Sequence, residues 1–187
     1  MSTLIIYAHP YEKSFNHHIL KTITEKNLNK ADIINLYEDN FNLIYSKEEL
    51  ALFKDGDTNS TFIKNYQNRI SKASNIVFIF PIWWNDIPGI VKNFVDLVMK
   101  KNFAYIDTPT GVSGKLTNIK SVSVITTSNS PTWYIKLFCG NSINKVFLNA
   151  TCKQLGIKKR RWINLGNIKK TSSLDKKKFL DKINKQI

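Results

Sequence analysis

The fold is decided by the stretch Phe78-Ile79-Phe80-Pro81-Ile82-Trp83-Trp84-Asn85-Asp86-Ile87-Pro88-Gly89. In this stretch an apolar strand stops at a proline, two adjacent tryptophans follow, and a second proline opens a helix. Tryptophan is more often buried in a core than exposed, yet these two lie on a predicted loop, where function concentrates. Two aromatic side chains and free backbone N–H groups at the carboxyl end of a strand suit a flat, electron-rich ring, of which a flavin is an example.

Outward from this stretch, apolar segments of strand length alternate with segments whose apolar residues recur at helical spacing. Strands are predicted at 3–8, 32–37, 75–80, 120–127 and 161–165, with helices between and after them. We predict a loop with one turn of helix at 47–53 for residues 38–58, a loop for 102–118, and irregular structure for 128–141. The alternation predicts the α/β class, with a five-stranded parallel sheet and helices on both faces.

Length and composition limit the possible functions. A chain of 187 residues predicts a single domain over residues 1–187 with a substantial core. The longest apolar stretches have only strand length and the first residues lack a basic leader, so we predict neither stable membrane insertion nor a signal peptide. Two cysteines without a CxxC pattern favour a reducing, cytoplasmic setting and argue against a metal site.

The net charge of +14 admits two interpretations. It is compatible with a nucleic acid or another anionic partner, or with a solvated surface rich in lysine. We favour the second and predict no nucleic-acid partner, because the lysines are scattered rather than set among exposed aromatic residues. The densest basic run, Lys158-Lys159-Arg160-Arg161, lies at the start of the fifth predicted strand and is interpreted as the segment that leads into it. A positive field would also attract phosphorylated cofactors.

Candidate ligand-binding residues follow the first and fourth predicted strands as well. Ser14 stands at the predicted start of a helix, where its hydroxyl and the N–H groups of Phe15 and Asn16 can hold a phosphate. His9 can add charge at the same place; the alternative is an ordinary capping serine and a structural histidine. Residues 126–130, Thr-Thr-Ser-Asn-Ser, offer hydroxyl and N–H groups or form a plain polar turn. Sheets of this class bind ligands at the carboxyl ends of their strands.

Taken together and in order, these segments resemble the flavodoxin-like NAD(P)H:quinone oxidoreductase family, the relatives of DT-diaphorase that include potassium-efflux ancillary proteins and bacterial drug-modulator reductases. The resemblance extends from Thr3 to the region of Tyr134. It rests on Ala8-His9-Pro10 with Ser14-Phe15-Asn16, on Phe80-Pro81-Ile82-Trp83-Trp84, on residues 88–96 with Phe103-Ala104-Tyr105, and on Gly114-Lys115 leading into Thr126-Thr127.

The resemblance implies a flavodoxin-like sheet of strand order 2-1-3-4-5 and a flavin cofactor, FMN or alternatively FAD. It also implies that the flavin takes hydride from NAD(P)H at its N5 atom and passes it to a quinone or similar small-molecule electron acceptor in a ping-pong cycle. A homodimer is the implied assembly and Tyr134 the implied catalytic residue. By resemblance the flavin is bound on its phosphate side by His9, Ser14, Phe15 and Asn16, around its ring by Pro81, Ile82, Trp83 and Trp84, and at its pyrimidine edge by Thr126, Thr127 and Ser128.

Some features depart from the family pattern. The family's glycine pair after the two threonines is Ser128-Asn129 here, and no histidine follows His18, so the Tyr–His proton relay of larger members is absent. The chain also lacks the extra C-terminal region of those enzymes, which favours FMN. The alternative function is a flavin-carrying electron-transfer or regulatory protein without efficient NAD(P)H turnover. The basic charge counts against that alternative, because such shuttles are often acidic.

Overall fold

The sheet forms because five segments of the chain are apolar enough to be buried as parallel strands. The computed structural model describes residues 2–26, 31–41 and 44–187. In sheet order the strands are β2 (Asp32–Asn35), β1 (Thr3–Tyr7), β3 (Asn75–Pro81), β6 (Ser121–Thr127) and β7 (Lys159–Leu165), all parallel. Counted over these five strands alone, the order is 2-1-3-4-5, which confirms the predicted flavodoxin-like α/β fold.

Helices connect the strands and lie on both faces of the sheet. They are α1 (Phe15–Lys26), α2 (Lys47–Ala51), α3 (Thr61–Lys72), α4 (Gly89–Val98), α5 (Thr132–Phe138) and α6 (Ser173–Gln186), with a π-helix over Ile143–Cys152 and a 3₁₀ turn over Phe53–Asp55. The predicted helical turn at 47–53 is confirmed by α2; residues 42–43 of the loop predicted around it lie outside the described residues. No helix in the described part of the chain is both long and apolar enough to cross a bilayer.

Alternate residues of each strand point to opposite faces and build two cores. On one face Ile5 of β1 and Ile79 of β3 are buried with Ile19 of α1 and Ile183 of α6. On the other face the intervening strand residues, such as Phe78, are buried with residues of α3, α4 and the π-helix. Both faces are therefore covered, as the continuous apolar strands predict.

Two predictions for connecting segments are wrong. Residues 102–118, predicted as a loop, contain an antiparallel hairpin of β4 (Tyr105–Thr108) and β5 (Gly111–Gly114). Its residues are exposed or half-buried, so no apolar alternation marks them as strands. Residues 128–141, predicted as irregular, contain α5. Only Ile135 of that helix is buried, and a helix with one buried residue has no apolar period to detect.

The register brings the carboxyl ends of β1, β3 and β6 side by side. Tyr7 is paired with Ile79, and Pro81 with Thr127. Just beyond, the N–H of Ile82 donates to the carbonyl of Thr127 over 2.8 Å. Because the chain leaves β1 toward β2 on one side and returns to β3 on the other, this edge is the topological switch point, where α/β sheets bind ligands. The segments that the sequence singles out meet here.

Candidate functional site

A cavity of about 300 Å³ opens at this edge between the loops that follow β3 and β6. It is lined by residues 82–85, residues 128–130 and Ile135. Its volume is at the lower end of the roughly 300–1,000 Å³ typical of small-molecule sites. The lining joins the two tryptophans to the polar loop after β6, which is the combination that the sequence predicts.

Trp83 and Trp84 lie in a tight turn outside the core. The N–H and C=O of Trp83 exchange hydrogen bonds of 3.1 and 3.0 Å with those of Asp86. Trp84 and Asn85, between them, have φ angles of +49° and +65°, as in a type I′ turn. Trp83 is 43% exposed and Trp84 98% exposed. The alternative in which both are core residues is therefore excluded.

This turn imposes a strained backbone on a bulky residue. A left-handed φ outside glycine costs on the order of 1–3 kcal/mol, and such strain clusters at functional sites. The N–H groups of Trp84 and Asn85 have no hydrogen-bond partner in the described chain. The hydroxyl of Ser142 donates to the carbonyl of Asn85 over 2.5 Å and holds the tip in place. The turn thus offers an exposed indole and two free donors beside the cavity.

The start of α1 has the donors that a phosphate requires. The hydroxyl oxygen of Ser14 accepts the N–H of His17 over 3.2 Å, which makes Ser14 the cap of the helix. The N–H groups of Phe15 and Asn16, in the first turn, make no hydrogen bond with any described residue. The helix dipole adds a positive potential at the same place.

His9 lies between this helix start and the tryptophan turn. Its Nδ1 accepts the N–H of Tyr11 over 3.0 Å, and its ring centroid is 6.4 Å from that of Trp83. Burial lowers the pKa of His9 below its ordinary value. The imidazole is therefore neutral at pH 7 and carries its hydrogen on Nε2, where it can donate. Within the described ranges no group of three or more His, Cys, Asp or Glu side chains is placed to hold a metal ion.

Asn16 carries an incomplete hydrogen-bond set. Its side chain is buried, with the residue only 2% exposed. Its Nδ2 donates to Oγ1 of Thr127 over 3.0 Å, which ties α1 to the end of β6. Its Oδ1 is buried without a partner in the described chain. An unpaired buried acceptor costs about 1–3 kcal/mol, and a hydroxyl or N–H of a bound ligand would satisfy it. The residues present therefore fit a polyhydroxylated, phosphorylated ligand such as a flavin mononucleotide.

At the end of β6 the side chains hold the loop rather than face the cavity. Thr126 is fully buried, and its hydroxyl donates to Oδ1 of Asn164 and accepts Nε1–H of Trp162, both over 2.8 Å. Nδ2 of Asn164 donates to the hydroxyls of Ser128 (3.0 Å) and Thr132 (2.9 Å). Asn164 thus joins β6, β7 and the start of α5. Sequence reasoning missed it, although an amide inside an apolar strand is unusual enough to be a signal.

Two unpaired donors remain at this loop. The N–H of Ser128 donates to the carbonyl of Leu165 over 3.0 Å, and its hydroxyl donates to the carbonyl of Ser130 over 2.8 Å. The N–H groups of Asn129 and Ser130 line the cavity and have no partner among the described residues. The predicted contact of this segment with a ring edge would therefore fall to the backbone of residues 129 and 130.

Two predicted site residues have their side chains elsewhere. The ring of Phe15 packs 6.3 Å from that of Phe179 on α6, so only its backbone N–H faces the helix start. Tyr134 is half-exposed, and its ring stacks on Phe138 with centroids 5.5 Å apart. Within one chain it is Ile135, the next residue, that lines the cavity. Tyr134 instead belongs to the exposed face of α5.

The sheet order, the switch-point crevice and the unpaired N–H groups at the start of α1 define a flavodoxin-like α/β protein. The chain belongs to the family described as having a flavodoxin-like fold, which is matched by residues 1–187.

Known proteins place the chain among redox enzymes of this family. It is similar to a protein of Haemophilus influenzae named as an uncharacterized NAD(P)H oxidoreductase, with 32% identity over 173 residues that cover 90% of this chain and 85% of that protein. It is 25% identical to NAD(P)H dehydrogenase (quinone) 1 of Rattus norvegicus over 151 residues, which cover 70% of this chain and 55% of the rat protein. A crystal structure of a Streptococcus mutans protein has a TM-score of 0.85 and 29% identity, covering 99% of this chain and 97% of that one.

Proposed function

We propose that this chain is a single flavin-binding domain that catalyses NAD(P)H-dependent reduction of a quinone or similar small acceptor. The observation that carries the proposal is a set of hydrogen-bonding groups that have no partner among the described residues and lie beyond the carboxyl ends of three adjacent strands. They belong to the start of α1 after β1, with Oδ1 of Asn16, to the turn at Trp84 after β3, and to the loop at Ser130 after β6. A phosphate, a polyhydroxylated chain and a flat ring, joined in that order, match this sequence of groups.

Each part of a flavin would meet a particular group of residues. Ser14 and the N–H groups of residues 15 and 16 would hold the phosphate, and Oδ1 of Asn16 would accept a hydroxyl of the ribityl chain. The tryptophan turn and the N–H groups of residues 129 and 130 would lie around the ring. Hydrogen-bond donors in that position would stabilise negative charge on the reduced ring. A flavin bound here would supply the hydride chemistry, through its N5 atom and in a ping-pong cycle, between NAD(P)H and the acceptor.

The surroundings of the phosphate site favour FMN over FAD. Beyond the start of α1, toward β2, lies a second cavity of only about 140 Å³. Glu12 and Glu38 are among the residues that line it. A second phosphate would meet these carboxylates, and the volume is well below the roughly 300–1,000 Å³ of typical small-molecule sites. Binding of FAD would require a larger cavity and the absence of the two carboxylates.

A homodimer would complete the site. The exposed face of α5 carries Trp133, Tyr134, Leu137 and Phe138, and the fully exposed Trp84 lies on the neighbouring turn. Contiguous apolar patches of this kind mark interaction surfaces. A second copy seated on them would bury the aromatic rings and enclose an acceptor stacked on the flavin. In that enclosure the Tyr134 hydroxyl would donate a hydrogen bond to a quinone oxygen.

The setting we propose is the cytoplasm. Cys139 and Cys152 are both free thiols, and burial raises the pKa of Cys152 to about 12, which keeps that thiol protonated and inert. Free thiols without a disulfide framework are typical of a reducing compartment.

The experiment that tests this function is an absorbance spectrum of the purified protein before and after addition of FMN, followed by anaerobic NADPH or NADH. We expect visible flavin bands that bleach on reduction and return when a quinone is added. Bands that form but do not bleach would replace the enzyme with the electron-transfer or regulatory alternative. Failure to bind either FMN or FAD would overturn the site itself. Asn164→Leu tests the support of the loop, and Lys64→Gln, at an exposed position of α3, is a control outside the site.

A further inference from the structure

A second polar site lies at the amino-terminal edge of the sheet, opposite the candidate flavin crevice. Here a groove of about 580 Å³ opens on the face that α1 and α6 cover elsewhere. Its volume falls within the roughly 300–1,000 Å³ of small-molecule sites. It includes the basic run 158–161, which the sequence leaves without a function.

The strand register explains why the groove is polar. Paired residues of adjacent strands share one face of a sheet. Near the carboxyl ends, this face carries a buried row of Tyr7, Ile79, Ile125 and Ile163, in which the Tyr7 hydroxyl is the only polar side-chain group. Two residues earlier in each strand the row is Ile5, Val77, Ser123 and Arg161, and at the edge it is Thr3, Asn75, Ser121 and Lys159. The sheet face that packs into the core at the carboxyl ends of the strands therefore carries only polar residues in the row at their amino ends.

Several polar groups in the groove are hydrogen-bond donors that have no partner among the described residues. The hydroxyls of Thr3 and Ser123 belong to residues only 8% exposed, and neither has a hydrogen bond within the described chain. Ser121 donates to Oδ1 of Asn75 over 2.8 Å, which leaves the amide hydrogens of Asn75 free. The hydroxyls of Thr3 and Ser123 remain accessible from the open groove, so the oxygens of a bound ligand can accept hydrogen bonds from them.

Positive charge surrounds these donors. The lining includes the run 158–161, of which Lys159 and Arg161 lie in the strand rows of this face. The guanidinium of Arg160 instead donates to Oδ1 of Asn149, on the face that the π-helix covers. No Asp or Glu occurs among the described residues that line the groove. One N–H group of Arg161 donates to the carbonyl of Gln186 over 2.8 Å, which fixes the guanidinium at the rim and leaves its other donors available. A planar guanidinium beside a lysine is the combination that recognises phosphate groups.

We propose that this groove binds a compact phosphate-bearing small molecule at a site separate from that of the flavin. The phosphate oxygens would accept from Arg161 and Lys159 at the rim and from the hydroxyl of Ser123 at the floor. Acceptor-only oxygens suit a surface whose free side-chain groups are donors. The two sites lie at opposite ends of the same strands, so both can be occupied at once.

The first test measures calorimetric binding of inorganic tripolyphosphate to protein already saturated with FMN, at about 0.15 M salt. The double variant Lys159→Gln/Arg161→Gln should bind at least about tenfold more weakly, since hydrogen bonds to charged groups are lost. The control variant Lys64→Gln/Lys177→Gln makes the same change in net charge on exposed helices and should bind within about twofold of the unmodified protein. Equal weakening in both, or no binding by the unmodified protein, would overturn the proposal.

A second variant separates a built site from general charge attraction. Ser123→Ala removes a hydroxyl that has no internal partner, so the ligand-free protein should unfold at an unchanged or higher temperature. Its affinity for tripolyphosphate should nevertheless fall severalfold, by about the worth of one hydrogen bond. Unchanged affinity, or a lowered unfolding temperature in the ligand-free protein, would contradict the proposed role of this hydroxyl.

Discussion

Replacing Asn16 by leucine should separate folding stability from flavin binding. The substitution keeps the approximate volume, removes the 3.0 Å bond from Nδ2 to Thr127 and removes the unpaired Oδ1. The lost bond costs about 1 kcal/mol, and the removed unpaired acceptor returns about 1–3 kcal/mol. We therefore expect the ligand-free protein to change by less than about 1 kcal/mol, or to become more stable. FMN affinity should fall about five- to tenfold, because one ligand hydrogen bond is lost.

The same substitution at Asn164 is the matched control. Asn164 has its amide fully bonded, accepting from Thr126 and donating to Ser128 and Thr132. Asn164→Leu should therefore destabilise the ligand-free protein by about 3 kcal/mol, at about 1 kcal/mol for each bond. Urea unfolding measures stability, and quenching of FMN fluorescence measures affinity. If Asn16→Leu is as destabilising as Asn164→Leu, or if it leaves FMN affinity unchanged, the unpaired Oδ1 is not a ligand contact and the reasoning fails.

Three further outcomes are expected. Trp84→Gly should stabilise the ligand-free protein by about 1 kcal/mol, because glycine relieves the positive φ of this fully exposed residue. Trp83→Gly should destabilise it, because Trp83 has no positive φ to relieve. The urea concentrations at the midpoint of unfolding measure both effects. Lys100→Met should cost about 3–5 kcal/mol, because the buried ammonium pairs with Glu49 at 2.5 Å and its loss leaves that carboxylate without its cationic partner. An unfolding free energy lowered by less than about 1 kcal/mol would contradict this. Burial lowers the pKa of His9 in the folded protein, so the unfolded state binds its proton first as pH falls. The contribution of His9 to the free energy of unfolding should therefore be fully present above about pH 6.5 and decrease below it. His9→Gln should make that decrease smaller, which unfolding measured at pH 7.5 and at pH 5.5 will test.

The sequence was sufficient for the sheet and for the start of α1. Phe78 to Pro81 is an apolar run closed by a proline, and such runs alternating with helical periods leave few topologies. The helix start at Ser14 was recognisable because capping is a local rule of residue type and spacing. Both features depend on neighbours along the chain, so they are present in the sequence itself.

Features that depend on contacts across the sheet were not predictable. The bond from Asn16 to Thr127 joins residues 111 positions apart, and its existence depends on the register of β1, β3 and β6. The helix α5 was missed because its aromatic residues face outward, and the role of Asn164 appears only when β6 and β7 are paired. The polar groove likewise follows from the register, since its residues are scattered over four strands.

The free donors of the candidate flavin site are rigid because neighbouring atoms hold them. The capping bond of Ser14 fixes the first turn of α1, whose N–H groups stay unpaired. The paired main-chain bonds of Trp83 and Asp86 fix the turn whose two central N–H groups are free. The bonds of Ser128 do the same for the N–H of Ser130. Binding a ligand to groups already held in position requires little further ordering, which is the condition for tight binding at a small site. A variant such as Asn164→Leu, which removes the bond from Nδ2 to the hydroxyl of Ser128, should therefore weaken flavin binding without removing any atom proposed to touch the flavin.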